Sequence, residues 1–167
     1  MKNPSKKSII SHLILKSKLK VAVLGGGSWG TALIKILTEN KRKVGWYIRN
    51  PVNVDFVKKY RHNPNYLSSA NLKTKRLKIS SDINHVVSGA DVLILTIPSA
   101  FLSSELEKLN QSLNKKIVFS AVKGVVPESM LIVGEHLNKK LNVPLNKIGV
   151  IVGPSHAEEI AMERLSY

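Results

Sequence analysis

The chain has 167 residues, 43% of them hydrophobic, enough to bury one sizeable core and short for two full domains. It contains no cysteine, its five histidines never fall into a ligand-like cluster, and no apolar run approaches the roughly 20 residues of a membrane-spanning helix, so disulfides, thiolate metal centres, cysteine nucleophiles, bound metals and membrane spans are not expected. Lys and Arg outnumber Asp and Glu by 26 to 11, a net charge of +15 that attracts anions, but no zinc-finger spacing, basic heptad helix or aromatic-studded RNA-binding motif accompanies it, and nucleic acid is not the expected partner.

Residues 1–19 read as a basic, flexible extension, with Lys2, Lys6, Lys7, Lys16 and Lys18 around the stretch Ser8-Ile9-Ile10-Ser11-His12-Leu13-Ile14-Leu15. Ser11 and His12 break the apolar part and no small-residue cleavage site precedes the first strand, which argues against a secretory signal. Residues 20–167 are expected to form one domain.

That domain opens with a strand over 20–24, the run Val21-Ala22-Val23-Leu24. It feeds Gly25-Gly26-Gly27-Ser28-Trp29-Gly30 and then the helix-like Thr31-Ala32-Leu33-Ile34-Lys35-Ile36-Leu37, started at Ser28 or Trp29. A Gly-x-Gly-x-x-Gly run between strand and helix is the fingerprint of a dinucleotide site. Gly25 allows the tight turn, Gly27 removes the side chain that would hold a pyrophosphate away from the backbone, and Gly30 lets the helix pack closely on its strand. The helix N-terminus favours the phosphates with its dipole and unpaired N–H groups.

The next strand is expected over 43–48 and is followed by Arg49. NAD-selective sites carry an acid there for the ribose 2′-hydroxyl; an arginine suits a 2′-phosphate, so NADP is favoured over NAD. Residues 55–76 have no clean period and read as a helix followed by an irregular loop. A short strand over 77–79 precedes a helix capped by Ser80, Ser81 or Asp82. Another strand spans 91–97, and Pro98-Ser99 leads into a helix over 100–113. After the strand at 116–121 comes Lys123, followed by Gly124, which lets backbone approach a ligand and leaves the ammonium free to hold an anionic or carbonyl oxygen. Pro127-Glu128-Ser129 should start a helix over 130–141; the last strand is expected over 147–152 and the last helix from Pro154-Ser155.

Six strands alternating with helices describe an α/β chain with a doubly wound, mostly parallel sheet, the Rossmann fold. In such a sheet Gly25, Arg49, Pro98, Lys123 and Gly153 line one crevice at the carboxyl ends of the strands. His156 starts a helix without a fixed orienting carboxylate and is read as structural, and His62 and His85 carry less weight still.

Three runs, Gly25-Gly26-Gly27-Ser28-Trp29-Gly30-Thr31-Ala32-Leu33, Ala121-Val122-Lys123-Gly124 and Gly153-Pro154-Ser155-His156-Ala157-Glu158-Glu159, resemble the signatures of bacterial-type NAD(P)-dependent glycerol-3-phosphate dehydrogenases, in the same order. The resemblance covers residues 20–167. It implies hydride transfer between a nicotinamide cofactor and the dihydroxyacetone phosphate/sn-glycerol 3-phosphate pair, for glycerophospholipid synthesis in the cytoplasm. It also implies that Ser28, Trp29, Arg49 and Tyr66 contact the dinucleotide, that Lys123 touches cofactor and substrate, that Gly153 and Ser155 bind substrate, and that Ala157 lies against the cofactor.

In that family a helical substrate domain follows and carries the lysine that donates and accepts the proton. The sequence stops at Tyr167, so no catalytic acid or base is expected within it. The expected protein binds the nucleotide; the alternative reading is a non-catalytic NAD(P)-binding module or one half of a split enzyme. The face toward the absent domain should include Ile160, Met162 and Leu165, and self-association is expected to hide it.

Overall fold

A computed structural model describes residues 19–40, 42–152 and 157–161 of the chain, apart from the side chains of Glu158 and Ile160. Six parallel strands form its sheet: β1 (Val21–Leu24), β2 (Val44–Tyr47), β3 (Leu77–Ser80), β4 (Val92–Leu95), β5 (Ile117–Ser120) and, later in the chain, β8 (Ile148–Val150). Their spatial order is β3-β2-β1-β4-β5-β8, so the chain winds outward from β1 to β3 and then returns to the other side of β1. The order of winding, not the strand direction, reverses between β1 and β4, where Val21 to Leu24 pair in parallel register with Val92 to Leu95. This is the doubly wound sheet expected from the sequence, with shorter strands.

Side-chain alternation explains why both faces are covered. Val21, Val23, Val44, Trp46, Val92 and Ile94 enter one core with Ile34, Val54, Val57 and Leu72. Ala22, Leu24, Tyr47, Leu93, Leu95 and Val118 enter the other with Val86, Leu102, Leu106 and Leu137. Each fully buried aliphatic side chain stabilises the fold by about 1.5–3 kcal/mol, which holds the central strands as a rigid floor.

Helix α1 (Ser28–Glu39) follows β1. Helix α2 (Pro51–Tyr60) starts earlier than the unpatterned 55–76 stretch suggested, because the Asn50 side chain accepts from the Val52 N–H and Pro51 occupies the first turn. Asp82 caps α3 (Ile83–Ser88) by accepting from the Asn84 N–H. Helix α4 (Ser99–Leu106) ends seven residues before the expected 113: Asn84 donates to the Lys108 carbonyl and accepts from the Asn110 N–H, drawing the chain out of helical path.

The largest correction concerns residues 125–132. Pro127-Glu128-Ser129 does not start a helix; it turns a hairpin between β6 (Val125–Val126) and β7 (Leu131–Ile132). The Ser129 and Met130 N–H groups both reach the Val126 carbonyl, and Met130 takes φ +54°. Helix α5 (Val133–Leu141) begins only after that hairpin. Helix α6 (Ala157–Ala161) packs along α1.

Candidate functional site

The carboxyl ends of the parallel strands share one edge, and Gly25, Arg49, Pro98 and Lys123 all follow strand ends there. Gly153, Ser155 and His156 lie outside the described residues, as do Met162 and Leu165.

The glycine loop is built at the point where strand order reverses. Gly25 has φ +131°, its N–H donates to the Tyr47 carbonyl at 3.1 Å, and a Cβ there would lie 2.5 Å from Thr96 Oγ1. Only glycine suits that conformation and that contact. A Cβ on Gly30 would collide with the Gly25 carbonyl oxygen, so α1 rides directly on the turn. Gly27 differs: a Cβ there meets nothing within 4 Å. Open space is left beside the turn at this position.

Gly27 is also the N-cap of α1, with no side-chain cap and no acid in the first turn. The N-terminal N–H groups therefore remain available to an anion, as the sequence reading requires. Ser28 stands half-buried at this terminus. Thr31 secures the turn from behind, its N–H and its hydroxyl both donating to the Gly27 carbonyl at 2.9 Å.

Two further residues hold the loop that sequence reasoning did not single out. Asn63, 2% exposed, donates from Nδ2 to the Gly26 carbonyl and to Thr31 Oγ1, both at 2.9 Å. Trp46 is fully buried in the core and its indole N–H donates to the Gly25 carbonyl at 2.9 Å. Neither carries a local signal, since both act across long sequence separations. Trp29 packs with Leu67 and Ala157 against the small residues Ala32, Ala70 and Ala161, so it seals the seam between α1 and α6. Tyr66 is exposed in the loop between α2 and β3.

Beyond β2 no acid follows the strand directly. Asp55 is on α2, exposed and 4.0 Å from Lys58. The Arg49 guanidinium stands 5.6 Å over the Phe101 ring and 3.8 Å from Glu105 Oε1. Glu105 is 4% exposed; its other oxygen accepts from the Tyr47 hydroxyl, and Lys108 Nζ donates to Oε1 at 2.7 Å. Burial pushes the Glu105 carboxyl up, but the Lys108 and Tyr47 donors and the charges of Lys108 and Arg49 outweigh it and hold the group below its ordinary range. Burial and the Glu105 hydrogen bond raise the Tyr47 phenol. At β5, Lys123 is exposed and Gly124 has φ +84°. Among the described residues no group of three or more His, Cys, Asp or Glu side chains is placed to hold a metal ion.

A turn that leaves room at Gly27, an uncapped helix start and a cation at the end of β2 fit a dinucleotide. The sequence matches, over residues 20–167, the family model described as the N-terminus of NAD-dependent glycerol-3-phosphate dehydrogenase. The chain belongs to this family.

Curated relatives named glycerol-3-phosphate dehydrogenase [NAD(P)+] include one from Bacillus subtilis, 36% identical over 145 residues, covering 86% of this chain and 42% of the relative. One from Macrococcus caseolyticus is 33% identical over 147 residues, covering 87% and 44%. Among solved structures, the glycerol-3-phosphate dehydrogenase of Plasmodium falciparum superposes with a TM-score of 0.79 at 27% identity, covering 93% of this chain and 46% of that one. That of Coxiella burnetii gives 0.74 at 28% identity, covering 87% and 44%. The chain thus spans less than half the length of the glycerol-3-phosphate dehydrogenases it matches.

Proposed function

We propose that the chain binds a nicotinamide dinucleotide across the carboxyl edge of its sheet and serves reduction of dihydroxyacetone phosphate, or oxidation of sn-glycerol 3-phosphate, in glycerophospholipid synthesis. The observation that carries this reading is Gly27, whose missing side chain leaves open space at an uncapped helix N-terminus. Ser28 and the first-turn N–H groups of α1 hold the pyrophosphate. Arg49 meets the adenosine ribose and pairs with a 2′-phosphate, which favours NADP. When bound, the reduced nicotinamide supplies the hydride for the substrate carbonyl carbon. Lys123 extends from the end of β5 as a cation for the oxygen that gains negative charge, an electrostatic role that lowers the barrier to hydride transfer.

The resemblance supports Tyr66 and Ala157 as further cofactor contacts and Gly153 and Ser155 as substrate contacts, and the cytoplasmic location rests on it as well. No helix among the described residues is long and apolar enough to cross a membrane. The alkoxide also needs a proton, and the resemblance assigns that task to a lysine outside residues 20–167. A polypeptide limited to these residues is expected to bind the cofactor with little or no turnover, and we assign self-association to its exposed apolar side chains.

Parallel calorimetric titrations with NADPH and NADH test the reading, alongside coenzyme oxidation with dihydroxyacetone phosphate. Binding of at least one coenzyme, with little oxidation, is the expected result. Absence of binding heat and of protection from unfolding with both coenzymes would overturn it.

A further inference from the structure

The charges between β2 and α4 include one that the proposed cofactor site does not use. Glu105 lies buried behind Arg49, on the α4 wall. Its two oxygens are committed to the Tyr47 hydroxyl and the Lys108 ammonium, and the Arg49 guanidinium faces the lysine-bound oxygen from 3.8 Å. Arg49 itself keeps 65% of its side chain exposed, so its outer side remains free for a ligand.

A phosphate arriving on that outer side meets a guanidinium that already has an anion on its inner side. The carboxylate also repels the phosphate directly, through protein rather than through bulk water. A ribose 2′-hydroxyl carries no charge and is insensitive to both effects. We propose that Glu105 is a specificity-determining residue, a buried counter-charge behind Arg49 that offsets part of its pull on the adenosine 2′-phosphate and keeps the non-phosphorylated coenzyme usable. The inference rests on the reading of Arg49 as the group that meets the adenosine ribose.

The donors around Glu105 suit this role. Tyr47 and Lys108 stabilise the charged form, which a purely space-filling side chain at this position would not require. Glutamine has the same shape and can still accept from Tyr47, while Lys108, whose side chain is half-exposed, loses its acceptor and turns to solvent, so Glu105→Gln removes the charge with little change in packing.

The test is titration of NADPH and NADH into the chain and its variants Glu105→Gln, Arg49→Gln and the double variant. Glu105→Gln is expected to bind NADPH roughly threefold to tenfold more tightly and NADH within about twofold of the parent, the size of one partly screened charge pair. The double variant shows no such gain. An unchanged or lowered NADPH preference in Glu105→Gln, with Arg49→Gln losing NADPH selectively, overturns the inference and leaves the Arg49 reading intact. Equal losses of both coenzymes in Arg49→Gln overturn the Arg49 reading itself. If Glu105→Gln does not fold, Lys108→Gln, on a half-exposed side chain, serves instead. It leaves the carboxylate with only the Tyr47 hydroxyl and Arg49 beside it and should weaken NADPH by a similar factor while sparing NADH; no change in their ratio overturns the inference.

Discussion

Gly27 and Gly30 sit three residues apart and have opposite surroundings. Gly30→Ala drives its methyl into the Gly25 carbonyl, a backbone atom that cannot step aside. Gly27→Ala meets open space at an unstrained φ of −79°. Gly30→Ala should therefore lower the thermal midpoint by the equivalent of 2 kcal/mol or more, about the cost of overpacking. Gly27→Ala should leave that midpoint within about 1 kcal/mol and, on the proposed reading of the loop as the pyrophosphate site, weaken both coenzymes at least about tenfold. Differential scanning fluorimetry with and without NADPH separates the two effects. The sequence alone distinguishes these glycines by position in the motif; their separate surroundings follow from Thr96, Trp46 and Asn63, which reach the loop from other elements. Asn63 lies in the stretch without period, where no local pattern marks a residue that bonds a loop 37 positions earlier.

The strands were legible because apolar runs bounded by turn residues repeat through the chain, and alternate side chains enter separate cores on the two faces. The β6–β7 hairpin was not, since two-residue strands carry no period and Pro-Glu-Ser is an ordinary helix start. The length of α4 was hidden for another reason: Asn84, on α3, captures the chain beyond Leu106. The hairpin keeps Met130 at φ +54° with its side chain three-quarters exposed. Left-handed backbone is strained for a residue with a Cβ and costs glycine nothing. Met130→Gly should thus stabilise the chain by about 0.5–1 kcal/mol after its larger unfolded-state entropy is included, and chemical denaturation measures it. A loss of stability would mean that the Met130 side chain makes contacts that outweigh its strain.

Across the whole chain, acid should be destabilising in two stages. Burial holds His136 below its ordinary value of 6.5, against the opposing charge of Glu128, and Ser129 Oγ is 3.0 Å from its Nδ1. A lowered folded value means stability present above pH 6.5 and lost as pH falls through the folded value. Glu105 follows the same sign from its ordinary value of 4.5. The raised Tyr47 phenol has the opposite sign: its contribution is complete below pH 10 and is lost at higher pH. Denaturation midpoints should fall below pH 6.5 and fall further below 4.5, with Glu105→Gln removing only the second step. The open side of β8 adds another whole-chain property. Val150 and Val152 are 55% and 86% exposed, and Ile132 on the hairpin is 59% exposed. Light scattering should give an apparent mass that rises with concentration, and Val152→Lys should reduce the rise.

Both tryptophans of the chain flank the glycine loop: Trp29 is part of it, and Trp46 donates its indole hydrogen to the Gly25 carbonyl. Their ultraviolet emission therefore comes from the place where the coenzyme is expected, and overlaps the absorption of a reduced pyridine ring. Titration with NADH or NADPH should quench that light by resonance transfer, giving the molecule an intrinsic optical gauge of occupancy. Trp29→Phe should leave a weaker, single-source signal from the buried indole.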